Sequence, residues 1–487
     1  MTEFNVNSPL IYVVAGIIVV FIISQSVFFL VKAWKQAKTM GMEQNMLRRV
    51  VTSSAVFTIA PAIAILLGVI TLSNALGLPT PWMRLNTIGA ITYELPAAEM
   101  AATATGASMA TRITDARVYT TILWVMTLGI IPSLFLLPFL MKKIQSGVVN
   151  IGAKDKRWGE IFMTALFLGM ISAFLGMIFS RIGEGLPGWI PVFVMLCSAV
   201  FMAVLGIICK KGKIAWLENY ALPLSMLSAM AISIPITQAI GQEVELMENN
   251  NLENMGSIES MGNADNTGNI KDYFSSVYVY GRVWMLLALA LLFAAPAFIS
   301  IYYNAWPHFG EFFMGFIGIA PTFWVVGIIE MFTYTPMLGV GGSYLGFVTG
   351  NLTNLKVPCA INAMSAAKVE AGTKEGEIIS TIAIAVSSLV TTTIITLGVF
   401  MLFWIRPILE APVLVPAFAN ILPAMFGALG VVMISRGWKI AVAPIVFMLV
   451  LFLLIPGLAG AVGVLVPAGV VVAVVAARLL YKKGWLK

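Results

Sequence analysis

Apolar runs of about 20 residues or more recur along most of the 487-residue chain, each long enough to cross roughly 30 Å of hydrocarbon. A chain patterned this way has few folds open to it. Hydrocarbon offers no hydrogen-bond partners, so each crossing must satisfy its own backbone, and runs of this length do so as α-helices. With 60% hydrophobic and only 10% charged residues, and a mean hydropathy of +0.95, no soluble domain of ordinary size fits between the runs. The net charge of +7 comes mainly from Lys and Arg in short segments beside those runs. It therefore reads as membrane topology and not as a nucleic-acid footprint. The expected partners are the lipid bilayer and a small-molecule solute, with a homo-oligomer allowed.

Cys197, Cys209 and Cys359 fall in or beside apolar segments without CxxC spacing. Neither a zinc site nor a disulfide framework is expected, and no cofactor beyond a coupling sodium ion or proton. Pro9 to Val31 is long for a signal-peptide core and lacks a small-residue cleavage site, so it is read as the first transmembrane helix.

Lys32, Lys35, Lys38, Arg48 and Arg49 follow that helix and nothing basic precedes it, which places the amino terminus outside. A helix near 52–77 returns outward. Another near 117–140 ends at Lys142, Lys143, Lys154, Lys156 and Arg157, again cytoplasmic. Both assignments hold only if the stretch near 84–110 enters and leaves on one side. Helices near 160–180, 189–209 and 216–241 complete a first half, 9–241. Residues 242–275, acidic and Asn-rich, form a polar linker, expected to be external. The second half, 276–487, has helices near 277–303 and 312–334, a broken segment at 337–372, and helices near 378–404, 412–434, 440–456 and 459–481. The expected fold is an all-α polytopic membrane protein with about 12 (11 to 13) transmembrane helices in two sequence-related halves, each with a broken or re-entrant segment. One conflict remains: this count leaves Lys482, Lys483 and Lys487 outside, so a crossing is miscounted somewhere after residue 241.

The two halves resemble each other. Ile59-Ala60-Pro61 leading to Gly68-Val69-Ile70 matches Ile319-Ala320-Pro321 leading to Gly327-Ile328-Ile329. About 35 residues after each Ile-Ala-Pro, Leu95-Pro96-Ala97-Ala98-Glu99-Met100-Ala101 matches Val357-Pro358-Cys359-Ala360-Ile361-Asn362-Ala363. Duplicated halves with interrupted helices at matching places are the pattern of secondary transporters, because backbone freed at membrane depth is tolerated only where protein, water or solute satisfies it. Whether the halves are inverted or parallel stays open.

Polar side chains in the two segments are the candidate binding residues. In the first, Thr92, Glu94, Glu99 and Thr103 surround Pro96, and a carboxylate at membrane depth must face protein, water or a cation. In the second, Asn351, Thr353, Asn354, Lys356, Asn362 and Ser365 offer amide, hydroxyl and ammonium groups. Helix capping is the plainer role for some of these. Lys356 stands in the place of Glu94, so the two either pair across the halves or present opposite charges to a zwitterion. Glu330 is a lone carboxylate late in its helix, with an interfacial position as the alternative. Pro61, Pro96, Pro321 and Pro358 are the expected hinges. Arg112, Asp115, Arg117, Lys368, Glu370, Lys374, Glu375 and Glu377 read as solvated rims, and His308, the single histidine, as a loop residue. Trp82, Trp189, Trp306, Trp404 and Trp438 read as an aromatic belt.

The segments NSPLIYVVAGIIVVFIISQSVFFLVKAWK, FTIAPAIAILLGVITLSNALGLPTPWMRL and TYELPAAEMAA resemble a family of bacterial multi-pass membrane proteins known only as a domain of unknown function, over nearly the whole chain. The resemblance implies a bacterial cytoplasmic-membrane location and no particular substrate. GNLTNLKVPCAINAM is similar in style to the Asn-rich gate segments of concentrative nucleoside-transporter-like families. No HExxH, paired-aspartate, Ser-His or Walker signature occurs, so an enzyme or ATP-driven pump is not expected. The expected function is a secondary active transporter for an amino-acid-like or carboxylated metabolite, coupled to sodium or protons. A channel is the nearest rival, and a membrane scaffold or intramembrane enzyme the reading of another class.

Overall fold

A computed structural model of the chain describes residues 4–87, 90–145, 156–212, 215–240, 273–409 and 412–486. Among them the regular structure is entirely helical. The helices are α1 (Pro9–Thr39), α2 (Gln44–Leu76), α3 (Pro79–Thr87), α4 (Ile91–Ala104), α5 (Ala116–Leu128), α6 (Ile131–Gln145), α7 (Lys156–Phe179), α8 (Leu186–Gly212), α9 (Ala215–Ile240), α10 (Tyr273–Tyr302), α11 (Phe309–Thr349), α12 (Val357–Ala367), α13 (Lys374–Leu409), α14 (Val415–Ala419), α15 (Ile421–Leu454) and α16 (Val462–Lys482). Nine helical segments among the described residues are long and apolar enough to cross a membrane, α5 and α6 counting as one. Their surfaces suit lipid. On α1, Val13, Ile17, Val20, Val27 and Val31 are exposed at helical spacing while Ile11, Ala15, Ile18, Ile22 and Phe29 are buried.

Polar contacts define two ends of the bundle. At the first, the Tyr303 hydroxyl donates to Ser8 Oγ (2.9 Å) and Thr120 Oγ1 to the Ala305 carbonyl (2.7 Å). At the second, Lys32 Nζ lies 4.1 Å from the Tyr280 ring and Gln145 Nε2 donates to the Thr335 carbonyl (2.8 Å). Phe21 packs beside Trp284 and Phe28 beside Tyr280, so α10 runs antiparallel to α1. The first helix of one half starts at the first end, and the first helix of the other half starts at the second.

The expected helices 412–434 and 440–456 correspond to the two arms of α15, which bends at Gly437. Phe426 stacks on Phe174 of α7, Gly437 lies against Thr164 and Leu168, and Met448 and Phe452 lie against Gly176. The helix therefore runs along α7 in one direction and returns in the other. Lys439 Nζ donates to the Trp485 carbonyl (2.8 Å), bringing the carboxy-terminal residues to the Gly437 turn, at the end where α7 begins. Ile232 and Ile236 of α9 line one groove with Phe193 and Leu196 near the start of α8, so α8 and α9 run antiparallel. Residues 241–272 join α9 to α10. Those residues, and with them nearly all of the expected linker, lie outside the described set.

Candidate functional site

Two helical hairpins interrupt the bundle, one from each end. The first begins at Gly77, whose φ of 70° and ψ of 171° fall in a region almost reserved to glycine. A Cβ there would meet the Val6 carbonyl oxygen at 2.7 Å and Asn7 Oδ1 at 2.8 Å. Asn7 Oδ1 accepts from the Leu78 N–H (2.9 Å) and so caps α3, all nine residues of which are buried. After α4 the chain turns through Gly106 (φ 75°), and the Ile113 N–H donates to the Ala75 carbonyl (3.1 Å). The hairpin opens and closes at the same end. It starts earlier than the expected 84–110, because α3 was not anticipated.

Inside this hairpin Arg84 and Glu94, 1% and 0% exposed, form an ion pair of 3.1 Å between Nε and Oε2. Arg84 Nη1 donates to Thr127 Oγ1 (3.1 Å) and Nη2 to the Met126 carbonyl (2.6 Å). The physical reason lies in α5. That helix ends at Leu128 and α6 starts at Ile131, so the last carbonyls of α5 lack intrahelical partners. Arg84, the Tyr93 hydroxyl and Trp324 Nε1 serve them, the last two at Met126 and Leu128. Glu94 Oε1 has no hydrogen-bond partner.

The second hairpin begins at Gly339 (φ 73°, ψ −176°) within α11. Glu377 Oε1 accepts from the Val340 N–H (2.8 Å) and its side chain fills the space a Gly339 Cβ would need. Residues 340–350 are all buried. At the tip, Gly350 (φ 63°) and Asn351 (φ 50°) lead into a π-helical turn, Leu352–Lys356, in which the Leu355 and Lys356 N–H groups both donate to the Asn351 carbonyl (3.0 and 3.1 Å). Lys356 is 1% exposed, and its Nζ donates to Ser387 Oγ of α13 (3.3 Å). Asn362 Nδ2 donates to Ser53 Oγ of α2 (3.0 Å). The hairpins interlock with the opposite half: α4 packs on α11 as well as α5, and α12 on α2 as well as α13.

Several expectations change here. Glu94 pairs with Arg84, ten residues earlier on its own hairpin, and not with Lys356. Helices run through Pro61, Pro96 and Pro321, and Pro358 lies in the first turn of α12; the chain turns instead at Gly77, Gly339, Gly350 and Asn351, where positive φ is needed. Trp82 is 9% exposed and donates to Thr396 Oγ1 (3.2 Å), so it belongs to the interior of α3 and not to a belt. Trp189, Trp306, Trp404 and Trp438 are exposed. Glu377 caps a buried helix instead of forming a solvated rim.

Glu99 and Thr103 are half-buried and hydrogen-bonded to each other on α4, where Thr92 is half-buried too. Glu330 is half-buried in α11, Asn351 is half-buried at the tip, and Ser365 is exposed. The side chains of Thr353 and Asn354 lie outside the described set. Sequence reasoning missed Arg84, Asn7, Tyr93 and Ser387. Of these only Arg84 carried a signal, as a charge inside an apolar stretch. Between α8 and α9 lies a groove of about 610 Å³ whose lining, Phe193, Leu196 and Val200 among it, is apolar and includes none of these charges.

The arrangement defines an all-α polytopic protein with buried charge on two opposed hairpins. Residues 7–230, a little under half of the chain, match the family described as Domain of unknown function (DUF5058), so the expected family resemblance is found from α1 into α9. No curated protein and no solved structure matches the chain.

Proposed function

We propose that the protein is a secondary active transporter, moving a small polar solute across the cytoplasmic membrane by alternating access between the two hairpins. The observation that carries this reading is the pair of hairpins entering from opposite ends, each with a charged side chain at or below 1% exposure. Their equivalence extends to backbone detail. Gly77 and Gly339, Leu78 and Val340, Glu94 and Lys356, and Gly106 and Lys368 each stand 262 residues apart; both glycines share one rare conformation, both following amides are side-chain capped, and Gly106 and Lys368 both have positive φ. Opposed hairpins in antiparallel halves support an inverted-repeat transporter whose site lies near the midplane.

In this reading the described helices contribute 12 crossings, two of them from α15, both hairpins are re-entrant, and the whole chain makes an odd number, so that Lys482 lies on the opposite side from Ser8. The second end, which gathers Lys32, Lys142, Lys143, Lys439 and Lys482, faces the cytoplasm. Glu99 with Thr103 is the coupling group for sodium or a proton. The test is uptake into proteoliposomes under an imposed sodium or proton gradient. Gradient-driven uptake that Glu99→Gln uncouples supports the proposal, and gradient-independent flux at the speed of a pore overturns it.

A further inference from the structure

The two hairpins differ in how their buried charge is balanced. In the first, Arg84 and Glu94 neutralise each other. In the second, Lys356 stands at the place of Glu94, and the place of Arg84 is taken by Gly346, so the internal counter-ion is absent. Lys356 is as buried as the pair, at 1% exposure. Its ammonium has three donors, of which Ser387 Oγ takes one at 3.3 Å, and no carboxylate among the described residues lies within ion-pair distance. A buried charge with no counter-charge destabilises the protein that holds it, and a ligand of opposite sign removes that penalty on binding.

We propose that Lys356 and Ser387 form the subsite for a carboxylate of the transported solute, the solute supplying the negative charge that the first hairpin carries in Glu94. This rests on the transporter reading and adds to it the ligand's charge and its anchor. One buried positive charge matches one carboxylate. A dianionic phosphate would leave the Lys356 subsite net negative, which favours monoanions and amino-acid-like zwitterions over phosphorylated solutes.

Purified protein in detergent is melted with alanine or lactate, with their uncharged-carbonyl counterparts alaninamide and lactamide, and with inorganic phosphate, at matched ionic strength. The carboxylates are expected to raise the wild-type midpoint and the amides to leave it unmoved. Lys356→Met, which replaces the ammonium by an apolar chain of similar length, is expected to lose that shift while raising the ligand-free midpoint by about 2–5 °C. That rise separates a ligand-binding lysine from a structural one, whose removal lowers the midpoint. Ser387→Ala, which keeps the charge, is expected to weaken carboxylate binding several-fold and serves if the methionine variant fails to fold. A carboxylate shift that survives in both variants, a shift by phosphate or amides alone, or a lowered ligand-free midpoint in folded Lys356→Met overturns the assignment. Coupled uptake of an uncharged solute in liposomes would overturn it too, while leaving the transporter reading intact.

Discussion

Glu94→Gln removes the counter-charge of a fully buried guanidinium at almost constant volume. Arg84 keeps its bonds to Thr127 and the Met126 carbonyl, so the loss is chiefly the charge pairing. Both partners are at or below 1% exposure, and the small values of surface ion pairs do not apply. Breaking a buried pair from one side costs about 3–5 kcal/mol. Arg84→Met should cost at least as much, because it strips Glu94 of its one bonded oxygen when the other already lacks a partner. Removing both charges together, as Arg84→Met with Glu94→Gln, should return to within about 2 kcal/mol of the parent, since neither charge is then stranded. The cycle therefore predicts a coupling of at least about 4 kcal/mol between the two sites. Unfolding of the four proteins in one detergent, followed by tryptophan fluorescence, reads it. Single variants within about 1 kcal/mol of the parent, combining additively, would refute the pairing and the account of the first hairpin built on it.

Gly77→Ala and Gly339→Ala should each cost about 1–3 kcal/mol or more, measured by the same unfolding assay, since both sit at positive φ with oxygen or Glu377 atoms in the Cβ position. Thr111→Cys and Ala371→Cys, exposed beyond α4 and α12, should react with an impermeant maleimide from opposite faces of oriented vesicles once Cys197, Cys209 and Cys359 are replaced; labelling from one face would sink the inverted arrangement. Trp82→Phe should lose about 1 kcal/mol with its bond to Thr396, whereas Trp404→Phe, at an 87% exposed position, should change stability by less than about 0.5 kcal/mol.

Hydropathy made the long helices legible, including the two arms of α15, and the matching blocks around Pro96 and Pro358 located α4 and α12. The short helix α3 escaped because PTPWMRLNT has neither apolar length nor clear periodicity; its burial comes from the elements around it. Prolines suggested breaks that the helices absorb, while the turns fall at glycines, whose special φ leaves no mark in composition. Glu94 was legible as a charge inside an apolar stretch, yet its partner was not. Pairing depends on how α3 folds back on α4, a relation that residue spacing alone does not express. Lys356 aligns with Glu94 in the matching blocks of the sequence, but what separates them, the glycine at 346 in place of Arg84, needed the fold.

The interlocking of hairpins and opposite halves also sets an order of events during synthesis. The helix α4 rests on α11, which begins at Phe309, some 200 residues after α4 ends at Ala104. At about 5–20 residues per second, that support arrives on the order of 10–40 s later. For that interval the nascent first half holds α4, with Glu99 on it, without its final cover. The polypeptide's first half is thus a client of its own second half, and premature termination anywhere before α11 should yield a chain fit for degradation.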